Sequence, residues 1–304
     1  MNEAEFRALY DWLRSETPRP ATDRRGALRN ITPDAVLAAT RTVRAGTAVS
    51  LAAPVETVTR ADNPTPCEHE MLGTVGDDVE DEGLHFATDQ LTLHVHGNAD
   101  THIDALCHVM YDGRLYNDVP VGAVTSDGAV ELSIDVARDG IVGRGVLLDI
   151  PRLRGEAWVE PGDVVTYDEL VACERAQHMA VGPGDIMLVR LGHRSRRTAV
   201  GAWDVASSRA GLDPRALVFA AERKVAALGC DSNSDAAPSV TAAVEFPVHV
   251  LAINAMGLQM LDYLQLEALA GSCAERGDWT FLCVIAPLRM PTATGSPVNP
   301  IAIL

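Results

Sequence analysis

Hydrophobic residues recur with helical spacing near the start of the chain. Four large apolar residues share an i, i+3, i+4, i+7 pattern: Phe6, Leu9, Tyr10 and Leu13. This pattern predicts an amphipathic helix over residues 3–14. A second helix is predicted over residues 33–44, because Thr32 is a favourable N-cap and Pro33 suits the first helical position.

Further along, apolar runs of strand length alternate with helical segments. Strands are predicted over residues 50–56, 130–134, 142–150, 186–191, 226–230 and 279–287. Helices are predicted over residues 167–178, 214–225 and 263–275, and Thr166 with Glu169 forms a capping box for the first of them. The alternation predicts an α/β domain with a mixed sheet.

The composition narrows the class of protein. The chain has 304 residues, of which 47% are hydrophobic, and this is enough for a sizeable core. A net charge of −17 argues against nucleic-acid binding, because phosphates would be repelled. We find no apolar run of about 18 residues and no signal-like N-terminus, so a cytoplasmic protein without membrane contact is expected. The six cysteines lack Cys-x-x-Cys spacing and are expected to be reduced thiols.

The chemically active side chains concentrate in residues 98–108, directly after the apolar run 91–96. On an extended backbone His102 and Asp104 project to the same face, because side chains alternate along a strand. Imidazole and carboxylate together suit Zn²⁺ or Mn²⁺. His108 follows Asp104 by four residues, so one turn would return it to the ion as a third ligand or a general base.

The segment Thr101-His-Ile-Asp-Ala105 followed by His108 resembles the His-x-Gly-Thr-His-x-Asp-x-Pro-x-His signature of the metal-dependent cyclase family. That family includes bacterial arylformamidases, isatin hydrolases and some aromatic polyketide cyclases. The resemblance continues through further segments and covers residues 30–304: 184–190, 229–231, His249 and 295–300.

The resemblance implies a swivelling β/β/α fold with a mixed, barrel-like sheet flanked by helices. It also implies one divalent metal ion, Zn or Mn, a small-molecule substrate, and assembly into homodimers or homotetramers. Residues 30–304 would form a single domain of this kind. Residues 1–29 are interpreted as an N-terminal helical extension.

The sequence departs from the family signature at three positions. The first metal histidine of the signature falls at Asn98, its glycine at Asp100 and its proline at Leu106. An asparagine oxygen is a weaker ligand for a transition metal than an imidazole, so a single ion is expected with Asn98 as a weak ligand. His96 or His94, on the same alternating face, is the alternative replacement.

Two distant residues complete the ligand set that the resemblance implies. His249 matches the distant metal histidine that the family places just before a closing strand. Asp262 is the acidic residue that follows it at nearly the family spacing of about a dozen residues. Each has a plainer alternative. A histidine in an apolar run is commonly a core residue, and Asp262 is also a good N-cap for the helix predicted over residues 263–275.

Four residues are candidates for substrate binding. His96, Tyr111 and Tyr116 lie close to the motif, whereas His69 flanks the acidic segment and resembles a substrate-side position of longer family members. Tyr111 and Tyr116 flank an Asp-Gly turn, so turn geometry and packing are the alternative explanation for both. The polar segment 231–235 either holds a second cation or forms Asx turns. The acidic segment 77–82 is either a cation-binding lid or a solvated loop, and we favour the loop.

Three functions fit these residues. The first is a hydrolase that cleaves the amide bond of a small cyclic or aryl amide with metal-activated water, with His108 as acid and base. The second is a cyclase in which the metal stabilises an enolate during aldol closure or dehydration. The third is a binding protein that has lost catalysis, which Asn98 suggests and the retained His108 argues against.

Overall fold

The structure is a computed structural model and describes residues 1–17, 19–73 and 84–304, so the acidic segment 77–82 lies outside it. Within these ranges the chain forms the following α-helical segments: α1 Glu3–Glu16, α2 Pro33–Ala39, α3 Ile150–Arg154, α4 Tyr167–Ala176, α5 His193–Val200, α6 Ala216–Glu222, α7 Pro247–His249 and α8 Glu267–Arg276. A π-helical stretch, Val250–Met256, continues α7. No helix among the described residues is long and apolar enough to cross a membrane.

The strands of the same ranges are short, apart from one of nine residues. They are β1 Ala48–Ser50, β2 Glu68–Gly73, β3 Thr88–Thr92, β4 His102–Asp104, β5 Val124–Thr125, β6 Gly128–Ala129, β7 Ile141–Asp149, β8 Val164–Val165, β9 Ile186–Arg190, β10 Gly211–Leu212, β11 Ala227–Cys230, β12 Gln259–Asp262, β13 Thr280–Ile285, β14 Gly295–Pro297 and β15 Ile301–Ile303.

Nine strands form one mixed sheet in the order β1-β15-β13-β7-β9-β11-β12-β4-β14. The four central strands, β7, β9, β11 and β12, run parallel, and the flanking strands pair antiparallel. The sheet curls into a half barrel with helices against it. The mixed, barrel-like sheet flanked by helices that the sequence predicted is therefore confirmed.

The central parallel strands are buried, which explains why they appear in the sequence as continuous apolar runs. The N-terminal helix joins the same core. Its stripe residues Phe6, Tyr10 and Leu13 are buried, and α1 packs on the π-helical stretch Val250–Met256. The helical extension predicted over residues 1–29 thus contributes to the domain core, because its apolar stripe needs an apolar partner.

Two helices begin at capping residues in the sequence. Asn2 and Glu5 form a capping box on α1, and the predicted capping box of Thr166 and Glu169 begins α4. The predicted N-cap role of Asp262 is wrong, because Asp262 ends β12 and α8 begins only at Glu267.

The predicted strand over residues 130–134 is also absent. Leu132 has φ 62°, in the left-handed region, and a 3-10 turn begins at Ile134. A strand cannot continue through such a conformation. In contrast, the predicted bend after Tyr111 is confirmed, because Tyr111 and Arg114 pair across a two-residue Asp-Gly turn.

Candidate metal centre

Strands β4 and β12 bring three of the predicted ligands to one face of the sheet. In their antiparallel register His102 lies opposite Asp262, and Asp104 lies two residues beyond His102. Opposite residues and i, i+2 residues share a face of a sheet, so all three side chains project together. Asp104 and Asp262 are both 1% exposed, and His102 is 4% exposed. Three ionisable groups are thus buried side by side.

The fourth residue reaches this face from a helix. His249 ends α7, and its Nδ1 lies 2.6 Å from Oδ2 of Asp235. Because a carboxylate only accepts hydrogen bonds, Nδ1 carries a proton, and Nε2 is the ring nitrogen left to bind an ion. That Nε2 lies 3.5 Å from Oδ2 of Asp104 and 3.3 Å from Oδ2 of Asp262. His249 therefore presents a metal-binding nitrogen to two carboxylates.

His102 is oriented in the same manner. Its Nδ1 donates to the backbone oxygen of Asp100 at 2.9 Å, which leaves the Nε2 lone pair free, 3.7 Å from Oδ1 of Asp104. Ligand histidines in metalloproteins commonly have their second ring nitrogen held by a carboxylate or a carbonyl. Both histidines of this cluster meet that condition.

A divalent cation fits these residues. Potential ligand atoms of Asp104, His249 and Asp262 lie within 4.8 Å of one another, as do those of His96, His102 and Asp104. Among the described residues, none hydrogen-bonds to the buried Oδ2 of Asp104, and a buried carboxylate oxygen without a partner is costly unless a cation compensates it. Imidazole nitrogens and carboxylate oxygens are the ligands that Zn²⁺ and Mn²⁺ accept.

The charges of the cluster also favour a cation. Burial alone would raise the pKa of the Asp104 carboxyl, but the imidazoles of His249 and His96 outweigh it and hold that pKa well below its usual range. Burial would lower the pKa of His249, but the charge of Asp262 and the contact with Asp104 raise it well above its usual range. The carboxylates therefore remain ionised and favour positive charge at Nε2 of His249, which a proton supplies in the metal-free cluster and a divalent cation would supply in its place.

His96 and His108 form a second layer beside the carboxylates. Nδ1 of His96 lies 2.8 Å from Oδ1 of Asp104, and Nε2 lies 2.9 Å from the Thr294 hydroxyl, so both ring nitrogens are engaged. The ring of His108 stacks on that of His96 with centroids 3.7 Å apart. Burial lowers the pKa of His108 to about 4, so its imidazole is neutral at neutral pH and able to accept a proton.

A cavity of about 600 Å³ opens in front of these groups. It is lined by the predicted site residues His96, Asn98, His102, Asp104, His108, Tyr111, His249 and Asp262. Apolar side chains supply much of the remaining wall, among them Val109, Met110 and Phe246. A concave site with convergent polar groups and an apolar wall is typical of a small-molecule site.

Two predicted substrate residues do not line this cavity. Tyr116 is fully buried, and its hydroxyl donates to Oδ2 of Asp23 at 2.7 Å. His69 lies on the exposed two-stranded ribbon of β2 and β3, where it pairs with Asp89 at 3.1 Å. Tyr116 was chosen because it lies close to the motif along the chain, and His69 because it flanks the acidic segment and resembles a substrate-side position of longer family members. Neither criterion fixes which way a turn or strand directs a side chain.

Sequence reasoning missed the supporting residues. Asp235 was assigned only to a second cation site or an Asx turn, yet it orients His249. Asn233 and Ser234 donate to the Asp262 carboxylate at 2.8 and 3.1 Å. Their position after the buried strand β11 was the available signal, because loops at the carboxyl ends of parallel strands commonly build sites.

Fold and site together define an α/β protein in which a buried His/Asp cluster that could hold a cation lies beside an open cavity. A family model described as "Putative cyclase" matches residues 32–235. The chain belongs to this cyclase family and is an enzyme of that family.

Solved structures of similar proteins share this fold. A crystal structure described as a novel cyclase is 29% identical, with a TM-score of 0.81, and the match covers 93% of this chain and 95% of that one. Isatin hydrolase A from Ralstonia solanacearum is 21% identical, with a TM-score of 0.60 and coverage of 90% and 97%. A predicted metal-dependent hydrolase from Bacillus stearothermophilus is 16% identical, with a TM-score of 0.52 and coverage of 84% and 97%. No curated protein matches the chain.

Proposed function

We propose that this enzyme is a metal-dependent hydrolase that cleaves the C–N bond of a small, neutral cyclic or aryl amide. The observation that carries the proposal is the buried Oδ2 of Asp104, which has no hydrogen-bond partner in the described part of the chain and faces Nε2 of His249 beside an open cavity. The names of two similar structures, an isatin hydrolase and a predicted metal-dependent hydrolase, are consistent with this chemistry.

We assign His102, Asp104, His249 and Asp262 to hold one divalent ion, Zn or Mn. When bound, such an ion supplies Lewis-acid chemistry, because it polarises a carbonyl and lowers the pKa of water. The protein's contribution is to fix the donors. Asp235 orients His249, while Asn233 and Ser234 orient the Asp262 carboxylate.

His108 is the proposed acid and base. Hydrolysis adds water across the C–N bond: the hydroxyl joins the carbonyl carbon and a proton reaches the leaving nitrogen. His108 takes the proton from water and then delivers it to that nitrogen, a role that requires a neutral imidazole at the cavity wall. Its ring is held by the stacked ring of His96, which Asp104 and Thr294 fix from both sides.

The charge of the cavity supports a neutral substrate. Its lining residues, as far as the structure describes them, include Asp104, Glu245 and Asp262 but no lysine or arginine. An anionic substrate would meet carboxylates without a compensating side-chain cation, apart from the metal. Val109, Met110 and Phe246 provide an apolar wall suited to an aryl group.

The test uses formanilide, isatin and an aryl acetate ester as substrates for the Zn- and Mn-loaded protein. Turnover is expected for at least one neutral substrate, it should disappear after chelation, and His108→Ala should lower kcat by about 10²–10⁴-fold. His69→Ala is the matched control, since His69 is exposed and outside the cavity. Equal rates for His108→Ala and wild type would contradict the proposal.

A second candidate is a cyclase that acts on a larger, carbonyl-rich substrate. The feature that favours it is the exposed apolar rim, where Met110 and Phe246 are 48% and 40% exposed. In this function His108 moves protons during ring closure, and no amide or ester is hydrolysed. Metal-bound protein that hydrolyses nothing in the panel would favour the cyclase. Assembly into homodimers or homotetramers stays a prediction for either function.

A further inference from the structure

Asn98 lines the cavity at the position where the sequence suggested a weak metal ligand. Its Oδ1 accepts a hydrogen bond from the hydroxyl of Tyr263 at 3.2 Å. Tyr263 is fully buried, so its hydroxyl proton needs an acceptor inside the protein, and within the described part of the chain Asn98 is the partner that the hydroxyl has. The side-chain oxygen of Asn98 is therefore turned toward Tyr263, and one of its two lone pairs is used there.

This hydrogen bond fixes which end of the amide faces the cavity. With Oδ1 against the Tyr263 hydroxyl, Nδ2 is the remaining polar atom of the half-buried side chain. The opposite orientation would leave the buried hydroxyl proton of Tyr263 without an acceptor, which costs about 1–3 kcal/mol. An amide nitrogen has two N–H donors and no lone pair available for a metal. The group presented to the cavity is a donor.

The backbone around Asn98 holds this geometry rigidly. The buried guanidinium of Arg194 donates to the carbonyl oxygens of both Ala99 and Tyr263, each at 2.7 Å. Thr101 donates to the same Tyr263 oxygen at 2.7 Å. Tyr263 itself has φ 56°, a left-handed conformation that a large side chain adopts only when its surroundings require it. Asn98 and Tyr263 therefore move as one unit.

We propose that Asn98 is a hydrogen-bond donor to the carbonyl oxygen of the substrate and is not a metal ligand. Tyr263 is the positioning residue that keeps Nδ2 turned toward the cavity. The inference rests on the proposed function, because it assigns the role of Asn98 for the carbonyl substrate of that site. It also implies that the centre holds one ion, since the position of a further ligand is taken by a donor.

Two substitutions at position 98 separate donor from ligand. Asn98→Ala can neither donate a hydrogen bond nor bind a metal through its side chain. Asn98→Asp keeps the shape of the side chain and cannot donate when ionised, but it is a better metal ligand than an amide. For a donor, both variants should bind as much metal as wild type by elemental analysis. Both should lose about 10²–10³-fold in kcat on the hydrolysed test substrate, as expected for one donor to a developing oxyanion.

The contrary result is equally clear. Loss of metal in Asn98→Ala, or Asn98→Asp with wild-type activity, would establish Asn98 as a ligand and overturn the inference. Tyr263→Phe distinguishes a positioning role of Tyr263 from a purely structural one. It should lower kcat in the wild-type background and have no further effect in the Asn98→Ala background.

Failure of the proposed function has a different signature. If wild-type protein binds metal but hydrolyses none of the test substrates, the binding of formanilide to the metal-loaded protein replaces turnover as the readout. Asn98→Ala should then weaken the formanilide Kd by about 5–10-fold at unchanged metal content, as expected for one hydrogen bond. An unchanged Kd would overturn the inference independently of catalysis.

Discussion

Asp235 is expected to control metal affinity without touching the ion. Its carboxylate is fully buried and accepts three hydrogen bonds, one each from the backbone nitrogens of Val248 and His249 and one from Nδ1 of His249. In Asp235→Asn one carboxylate oxygen becomes an NH₂ group, which cannot accept. Either Val248 N–H or the two donors of His249 then lose their acceptor.

The size of the effect follows from these contacts. The Nδ1–Oδ2 distance of 2.6 Å is that of a charge-assisted hydrogen bond, which fixes the ring and makes Nε2 of His249 more basic. Loss of such a carboxylate–histidine contact typically lowers metal affinity by about 10–100-fold, or about 1.4–2.8 kcal/mol. The free energy of unfolding of the metal-free protein should also fall by about 1–3 kcal/mol, because a buried donor loses its acceptor.

The assay is competition with a chelator of known Zn²⁺ affinity, run beside chemical denaturation of the metal-free protein. Asp231→Asn is the matched control, because Asp231 is also fully buried and accepts three backbone hydrogen bonds, from residues 191–193. It should lose stability and keep wild-type metal affinity. Wild-type affinity in Asp235→Asn, or equal losses of affinity in both variants, would refute the reasoning.

Three further predictions concern the folded state. Burial lowers the pKa of His193 from 6.5 to about 3. The unfolded chain therefore binds a proton at higher pH than the folded protein, and the free energy of unfolding falls as pH drops from 6.5 toward 3. In denaturation at several pH values, His193→Gln should reduce this slope by up to about 1.4 kcal/mol per pH unit. Gly145→Ala would place a Cβ 2.1 Å from the buried Phe281 ring and should lower the urea midpoint by an amount equivalent to about 1–3 kcal/mol, and an unchanged midpoint would contradict the packing. Tyr10→Phe removes the 2.7 Å hydrogen bond to the buried Asn254 and should cost about 1–2 kcal/mol in the same measurement, whereas a stabilised variant would show that the bond contributes nothing.

Features that depend on neighbouring residues were predictable from the sequence. The stripe of α1 and the capping box at Thr166 and Glu169 are set by spacings of three or four residues, and both are present. The common face of His102 and Asp104 follows from strand alternation and needs no further information. These relations depend on the backbone of one segment, which local sequence largely determines.

Features that depend on distant partners were not predictable in this way. The start of α8 was misplaced, because the left-handed conformation of Tyr263 is imposed by contacts with Thr101 and Arg194. The role of Asp235 depends on a histidine 14 residues away, and that of Asn98 on a tyrosine 165 residues away. The first pairing depends on how α7 packs on the loop after β11, and the second on how β4 pairs with β12, and the sequence pattern specifies neither.

The most direct test of the account is the metal content of purified wild-type protein and of Asp104→Ala after incubation with Zn²⁺ or Mn²⁺ and removal of free metal. Asp100→Ala is the control, because that neighbouring carboxylate accepts from the backbone of Glu56 and lies outside both candidate ligand groups. The account predicts one equivalent in wild type and in Asp100→Ala, and none in Asp104→Ala. A wild-type protein that retains no metal, or an Asp104→Ala variant that retains as much as wild type, would contradict it.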